Sequence, residues 1–149
     1  MNPILIDTNL LIYLFDDLEP RKQSQAQKVI THLEITNAGR LSVQSLAEFI
    51  SVSTRKIAPP LTPAEALKSV EWFSQIWPII PLTPAIVLEA GRGFRDYQLS
   101  YFDAQIWATA HLNQIPIVFT EDFSDGQLLE GVRFANPFSE SFVLENWTS

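Results

Sequence analysis

Residues 4–15, ILIDTNLLIYLF, predict a buried strand that passes directly into a helix. The apolar run Ile4–Ile6 is typical of a strand covered on both faces. Apolar residues then recur at helical spacing from Leu10 to Phe15. Asp7 stands at the junction, and ligands of α/β sheets bind beside the carboxyl ends of strands. The alternative is that Asp7 only caps the helix, and on this segment alone the cap is the better explanation.

The composition narrows the class of protein. A chain of 149 residues has the length of one domain, and 46% hydrophobic residues can form a core. The lack of cysteine excludes disulfides and thiolate metal sites and suits a reducing, cytoplasmic environment. We find neither a secretory signal nor a membrane-spanning run of roughly 18 apolar residues. A net charge of −7 argues against a general nucleic-acid binder, but not against an enzyme that gathers carboxylates around divalent cations.

Strand and helix patterns alternate along the rest of the chain. Further strands are predicted at residues 41–43, 77–82, 115–120 and 132–134, with helices between them. The prolines of the 77–82 segment favour an edge strand. Because strands alternate with helices, we expect a parallel sheet with right-handed crossovers in a single α/β domain spanning residues 1–149.

Asp103 is the most informative acidic residue. It shares one stripe of its predicted helix with Ile106, Trp107 and Ala110, which is the core-facing stripe. An ionised carboxylate in that position is costly unless it is paired or bound to a metal. The alternative is an ordinary acid in the first helical turn, and the helical pattern does not choose between the two.

Two more acids need an explanation. Asp122 follows the apolar run 117–119 and should emerge at the same sheet edge as Asp7, although a simple turn aspartate is the alternative. The adjacent Glu121 should leave the strand in the opposite direction. At about 100° per residue, Glu48 points away from the apolar side of its helix, so the helical pattern alone predicts a solvated residue.

Asp7, Asp103 and Asp122 would raise one another's pKa in a shared cavity unless cations were present. Only ten Lys and Arg face 17 acids, and none is adjacent in sequence to these three aspartates. A hard cation such as Mg²⁺ or Mn²⁺ is therefore expected. Zinc is disfavoured, because the chain has no cysteine and only two histidines.

Five short motifs, taken in order, resemble those of a PIN-domain ribonuclease. They are Asp7-Thr8-Asn9, Ser42-Val43-Gln44 with Glu48-Phe49, Ser100-Tyr101-Phe102-Asp103-Ala104, Thr120-Glu121-Asp122 with Gly126-Gln127, and Asn136-Pro137-Phe138. The last is typical of the VapC-like toxin branch, although that branch often has Tyr where this chain has Ile50. The resemblance implies a three-layer α/β/α sandwich around a parallel sheet of four to five strands, and Mg²⁺- or Mn²⁺-dependent cleavage of RNA.

The resemblance also implies residue roles and partners. The catalytic, metal-binding acids would be Asp7, Glu48, Asp103 and Asp122. The residues that support them by hydrogen bonds would be Thr8, Asn9, Ser100 and Thr120. The implied partners are an RNA substrate, a cognate antitoxin lying across the acidic cleft, and a second copy in a homodimer. Positive contacts to RNA could come from Arg55, Lys56, Arg92 and Arg95, each of which is explained equally well as a solvated residue.

Other functions fit the sequence less well. There is no phosphate-binding GxxxxGK[ST] loop, no cysteine nucleophile and no GxSxG elbow, and Gly91 and Gly93 lack the third glycine of a dinucleotide fingerprint. Two alternatives stay open: a PIN-domain RNA-processing nuclease that is not a toxin, and a non-catalytic module that binds RNA or protein. The second alternative predicts an incomplete acidic quartet, whereas the quartet here is complete.

Overall fold

The structure, a computed structural model, describes residues 2–148 and is built on one six-stranded sheet. The strands are β1 (Ile4–Ile6), β2 (Gly39–Ser42), β3 (Ile79–Ile80), β4 (Ile117–Phe119), β5 (Leu128–Leu129) and β6 (Val132–Ala135). Their order is β3-β2-β1-β4-β6-β5, and all pairs are parallel except β5–β6. The predicted parallel sheet is confirmed, and so is the edge position of the proline-flanked strand, β3.

The five parallel strands agree with the predicted four to five, whereas the antiparallel edge strand β5 was not predicted. β5 and β6 form an antiparallel hairpin joined by Glu130 and Gly131, which have φ values of 48° and 85°. Two successive residues with positive φ give the turn whose twist suits a two-residue hairpin. A strand of only two residues carries too little periodicity to be recognised in the sequence.

Helices cover both faces of the sheet, which confirms the three-layer sandwich. They are α1 (Thr8–Tyr13), α2 (Pro20–Thr36), α3 (Val43–Ser53), α4 (Pro63–Ile76), α5 (Pro84–Tyr97), α6 (Tyr101–Leu112) and α7 (Glu145–Thr148). Ile4 and Ile6 of β1 pack into one hydrophobic core, which includes Phe49, whereas Leu5 packs into a second core around Trp107. The central strand is therefore buried on both faces, as its unbroken apolar run predicts.

The carboxyl ends of the central strands lie at one edge of the sheet. β1 is flanked by β2 and β4, and the Asp7 amide donates to the Phe119 carbonyl at 3.0 Å. The Thr120 amide in turn donates to the Ala135 carbonyl at 3.0 Å. These bonds hold Asp7 and Thr120, the first residues after β1 and β4, beside each other.

Among residues 2–148, no helix combines the length and the apolar character needed to cross a bilayer.

Candidate active site

Asp7 is a buried carboxylate that caps α1 and also lies at the carboxyl end of β1, where a ligand-binding residue was expected. Its Oδ1 accepts a hydrogen bond from the Thr8 amide at 2.7 Å, which caps α1. Its Oδ2 accepts a hydrogen bond from Thr120 Oγ1 at 2.7 Å. Only 4% of the residue is exposed, and no lysine or arginine within residues 2–148 forms an ion pair with it. The cap therefore leaves the negative charge of Asp7 uncompensated.

The environment of Asp7 opposes ionisation. Burial is the main cause that raises the pKa of Asp7 to about 7, and the negative charges of Asp122 and Glu48 raise the pKa further. The hydrogen bonds from Thr120 and Thr8 act in the opposite direction but do not offset desolvation. A buried carboxylate surrounded by other carboxylates is typical of a functional site.

A cavity of about 280 Å³ opens beside Asp7. Glu48 and Asp122 line the same cavity, together with Thr8, Asn9, Asp16, Lys56 and the apolar or aromatic residues Ile12, Tyr13, Val52 and Ile57. Glu48 is half-buried, and it accepts hydrogen bonds from Gln44 Nε2 at 2.6 Å and from Thr8 Oγ1 at a long 3.5 Å. Glu48 therefore faces the site rather than bulk solvent.

Asp122 and Asp103 extend the negative charge beyond Asp7. Asp122 is exposed in the loop after β4, and its amide donates to Thr120 Oγ1 at 3.0 Å. Partial desolvation raises the pKa of Asp122, and the charges of Asp103 and Glu121 raise it further. Asp103 is half-buried in the first turn of α6. Three of the four predicted acids thus line the cavity, and the fourth is close enough to act on Asp122.

Three of the predicted supporting residues contact the acids or one another. Thr120 Oγ1 donates to Asp7, accepts from the Asp122 amide, and lies 3.4 Å from Asn9 Nδ2. Thr8 contacts Asp7 through its amide. Ser100 acts differently, because its Oγ accepts from the Asp103 amide at 3.4 Å and caps α6.

The sequence interpretation missed a small polar cluster that includes Tyr13, which lines the cavity. Tyr13 OH donates to Glu121 Oε1 at 2.5 Å, and Lys22 Nζ lies 3.0 Å from Glu121 Oε2. Lys22 thereby neutralises the acid next to Asp122 and leaves Asp122 without a cationic partner in the described part of the chain. No local pattern connects Lys22 to residue 121, 99 positions away.

The four basic residues considered for RNA binding lie in different environments. Lys56 is exposed and lines the acidic cavity. Arg55 donates to Ser51 on its own helix. Arg95 is paired with the adjacent aspartate, and Arg92 is paired with Glu130, which precedes β6 and so lies toward the amino end of that strand.

The chemistry of the cavity fits a hard divalent cation. Apart from the ammonium group of Lys56, the polar groups that line the cavity are carboxylates, hydroxyls and an amide, whose oxygen atoms Mg²⁺ and Mn²⁺ prefer as ligands. Asn9 Oδ1 is buried and has no hydrogen-bond donor among residues 2–148, so it is an oxygen atom without a partner. No three acidic or histidine side chains in the same range surround a common point. Holding one ion would therefore require side-chain rotation.

Together, these features define an α/β sandwich protein with a carboxylate-lined cavity at the carboxyl edge of a mostly parallel sheet. Residues 4–124 match the family model of the PIN domain. The chain belongs to the PIN-domain family.

Three solved structures with similar folds are a toxin–antitoxin complex, a VapBC complex and a VapC toxin. A toxin–antitoxin complex from Klebsiella pneumoniae has 20% identity and a TM-score of 0.65, covering 90% of this chain and 97% of its own. VapC20 of Mycobacterium tuberculosis, described as a sarcin–ricin loop cleaving toxin, has 20% identity and a TM-score of 0.65, covering 87% and 98%. DNA-bound VapBC from Salmonella typhimurium has 17% identity and a TM-score of 0.64, covering 92% and 99%. A search of curated proteins found no match.

Proposed function

We propose that this protein is a metal-dependent endoribonuclease that acts as the toxin of a toxin–antitoxin pair. The observation that carries the proposal is the buried Asp7, which shares a cavity with Glu48 and Asp122 and has no basic partner in the described part of the chain. A carboxylate kept in this environment is unfavourable for stability. Membership of the PIN-domain family supports a nuclease, and the fold shared with VapC structures supports the toxin branch.

The acids of the cavity would hold the cation, with Asp7, Glu48 and Asp122 as donors and Asp103 beside them. When bound, a divalent cation neutralises the phosphate and lowers the pKa of a coordinated water. Thr120 holds the Asp7 carboxylate in a single orientation through a 2.7 Å hydrogen bond. The buried surroundings of Asp7 strengthen every charge interaction there. We expect hydrolysis of the phosphodiester to leave a 5′-phosphate and a 3′-hydroxyl.

Removal of the cation is the direct test of the nuclease. We expect the purified protein to cleave RNA with Mg²⁺ or Mn²⁺, and cleavage to fall to background in EDTA, because the acids would repel the phosphate without a cation. Cleavage of end-labelled RNA on denaturing gels measures both, and restoring Mg²⁺ after EDTA shows that the loss is reversible. Equal cleavage in EDTA and in Mg²⁺ would contradict the proposal.

Lys56 is the candidate contact to the RNA backbone, because it is the basic residue that lines the cavity. We expect Lys56→Met to raise KM several-fold with little change in kcat, and to lower the slope of log affinity against log salt by about one. Steady-state kinetics at several salt concentrations measure both effects. Lys68→Met on α4 is the matched control, since Lys68 is also exposed. Identical KM values and salt slopes for the Lys56 and Lys68 variants would exclude a phosphate contact by Lys56.

The proposed partners follow from the structural neighbours, some of which are complexes of a toxin with its antitoxin. We expect a cognate antitoxin to cover the acidic cavity and the protein to form a homodimer in the cytoplasm. A processing nuclease that is harmless to its host is the alternative, and the test of Asp7 in living cells described in the Discussion separates the two.

A further inference from the structure

A chain of three hydrogen bonds, of which the central one is buried, connects α6 to Glu48. Tyr101 OH donates to Gln105 Oε1 at 2.9 Å. Gln105 Nε2 donates to Gln44 Oε1 at 2.8 Å. Gln44 Nε2 then donates to Glu48 Oε1 at 2.6 Å. We call these four side chains the amide relay.

The direction of the amide relay is fixed at its Glu48 end. Gln44 Nε2 contacts both Glu48 Oε1 and the Phe102 carbonyl, at 2.6 Å and 3.1 Å. A carboxylate and a carbonyl only accept hydrogen bonds, so the Gln44 amino group must face them. Gln44 Oε1 must then accept from Gln105, and Gln105 Oε1 must accept from Tyr101. Each donor therefore points toward Glu48.

Burial makes the amide relay rigid. Gln44 is 8% exposed and Gln105 is 4% exposed. Turning either amide over would leave buried donors facing donors and acceptors facing acceptors, and unsatisfied buried polar groups are costly. If the two glutamines were exposed to solvent, Glu48 could change rotamer freely, whereas the buried Gln44 and Gln105 hold Glu48 in one rotamer.

The amide relay also links two helices that carry acids of the site. Gln44 and Glu48 lie one turn apart on α3. The Phe102 carbonyl, which accepts from Gln44, directly precedes Asp103 on α6. Gln44 therefore sets the position of Glu48 relative to the first turn of α6.

We propose that Gln44 and Gln105 are positioning residues, which hold the Glu48 carboxylate toward the cavity, so that the side-chain rotation needed to hold a divalent cation falls on the other acids. The inference rests on the proposed function, because it assigns the amide relay to the metal-binding acid of that site. Partners that orient a metal ligand typically contribute 10- to 100-fold in metal affinity or activity, and about tenfold is expected here for Gln44.

The test measures Mn²⁺ binding to the RNA-free protein, using the EPR signal of free Mn²⁺. We expect Gln44→Met, which keeps the side-chain length but removes both polar groups, to weaken Mn²⁺ binding about tenfold. Gln105→Met should give a smaller loss, because Gln105 acts on Glu48 only through Gln44. Thr109→Val is the matched control, since the buried Thr109 hydroxyl donates only within α6, to the Gln105 carbonyl at 2.8 Å.

A double-mutant cycle separates positioning from general damage to the fold. If Gln44 acts through Glu48, adding Gln44→Met to Glu48→Gln changes Mn²⁺ affinity by less than about twofold. Unchanged binding by Gln44→Met alone, or an equal loss in the Glu48→Gln background, would overturn the proposal. If Gln44→Met does not fold, Tyr101→Phe takes its place in the cycle, because it removes only the half-buried terminal hydroxyl. A wild-type protein that binds no Mn²⁺ would instead contradict the proposed function.

Discussion

We expect Asp7→Asn to lower RNA cleavage strongly and to stabilise the metal-free protein. Cleavage should fall by more than about 100-fold, because even partners that only orient a metal ligand contribute up to that much. Stability should rise, because burial raises the pKa of Asp7 from 3.8 to about 7, which corresponds to about 4 kcal/mol of lost folding free energy at pH 8. Asparagine has one acceptor oxygen where aspartate has two, so a net gain of about 2 kcal/mol is expected.

Three measurements check this prediction. Gel assays report cleavage, urea unfolding in EDTA at pH 8 reports stability, and growth after induction reports toxicity. We expect the wild-type protein, expressed without an antitoxin, to arrest growth, and Asp7→Asn to permit it. Glu71→Gln is the control for loss of an exposed acid on α4. Wild-type cleavage by Asp7→Asn would exclude the site, whereas an active wild-type enzyme that leaves growth unaffected would indicate a processing nuclease.

The sequence located the acids that follow strands more reliably than the acids on helices. Asp7 and Asp122 both follow short apolar strands, and neighbouring parallel strands end at the same edge, so local pattern and topology were sufficient. Asp103 was identified from a core-facing stripe that the structure shows only in part, since residues 104–110 are buried on every side of α6. Its position in the first turn, rather than the stripe, accounts for its half-buried side chain.

Glu48 shows what helical periodicity could not provide. By pattern it faces solvent, yet it lines the cavity because Thr8 and Gln44 bond its two oxygens. Thr8 is 40 residues away in sequence, so its contact depends on how α1 packs against α3. The amide relay was missed for the same reason, because Gln44 and Gln105 are 61 residues apart. Periodicity describes which face a helix presents to its core, but not a polar contact between two helices.

The fold was more predictable than the site. The apolar runs of β1 and β4 and the alternation of strands with helices predict the parallel sheet, whereas helical layers on both faces were implied by the family resemblance. The β5–β6 hairpin was not predicted, because its pairing depends on a two-residue turn rather than on an apolar pattern. The short α7 was not predicted, because four residues are too few for a helical pattern.

The metal-free protein should lose stability as the pH rises from about 4 to about 7. The pKa of Asp7 is higher in the folded state than its ordinary value of 3.8, so the folded protein binds more protons across this interval and stability falls with rising pH. The raised pKa of Asp122 acts in the same direction. Between pH 5 and pH 8, the contribution of Asp7 is a loss of about 2 to 3 kcal/mol.

Urea unfolding at pH 5 and pH 8 isolates this contribution. The pKa of Glu89 is lowered mainly by Arg92, and the pKa of Glu130 is lowered mainly by the Tyr97 hydroxyl and then by Arg92. Both carboxyl groups lose their stabilising effect mainly below pH 5, outside the measured interval. Asp7→Asn should therefore remove most of the pH dependence in EDTA. In saturating Mg²⁺ the wild-type protein should instead become more stable as the pH rises from 5 to 8, because only the ionised acids bind the cation. Two results would contradict this prediction: a metal-free wild type that is more stable at pH 8 than at pH 5, or an Asp7→Asn variant with the same pH dependence as the wild type. In either case the ionised Asp7 carboxylate does not destabilise the metal-free protein, and a cation bound beside it would relieve no destabilisation.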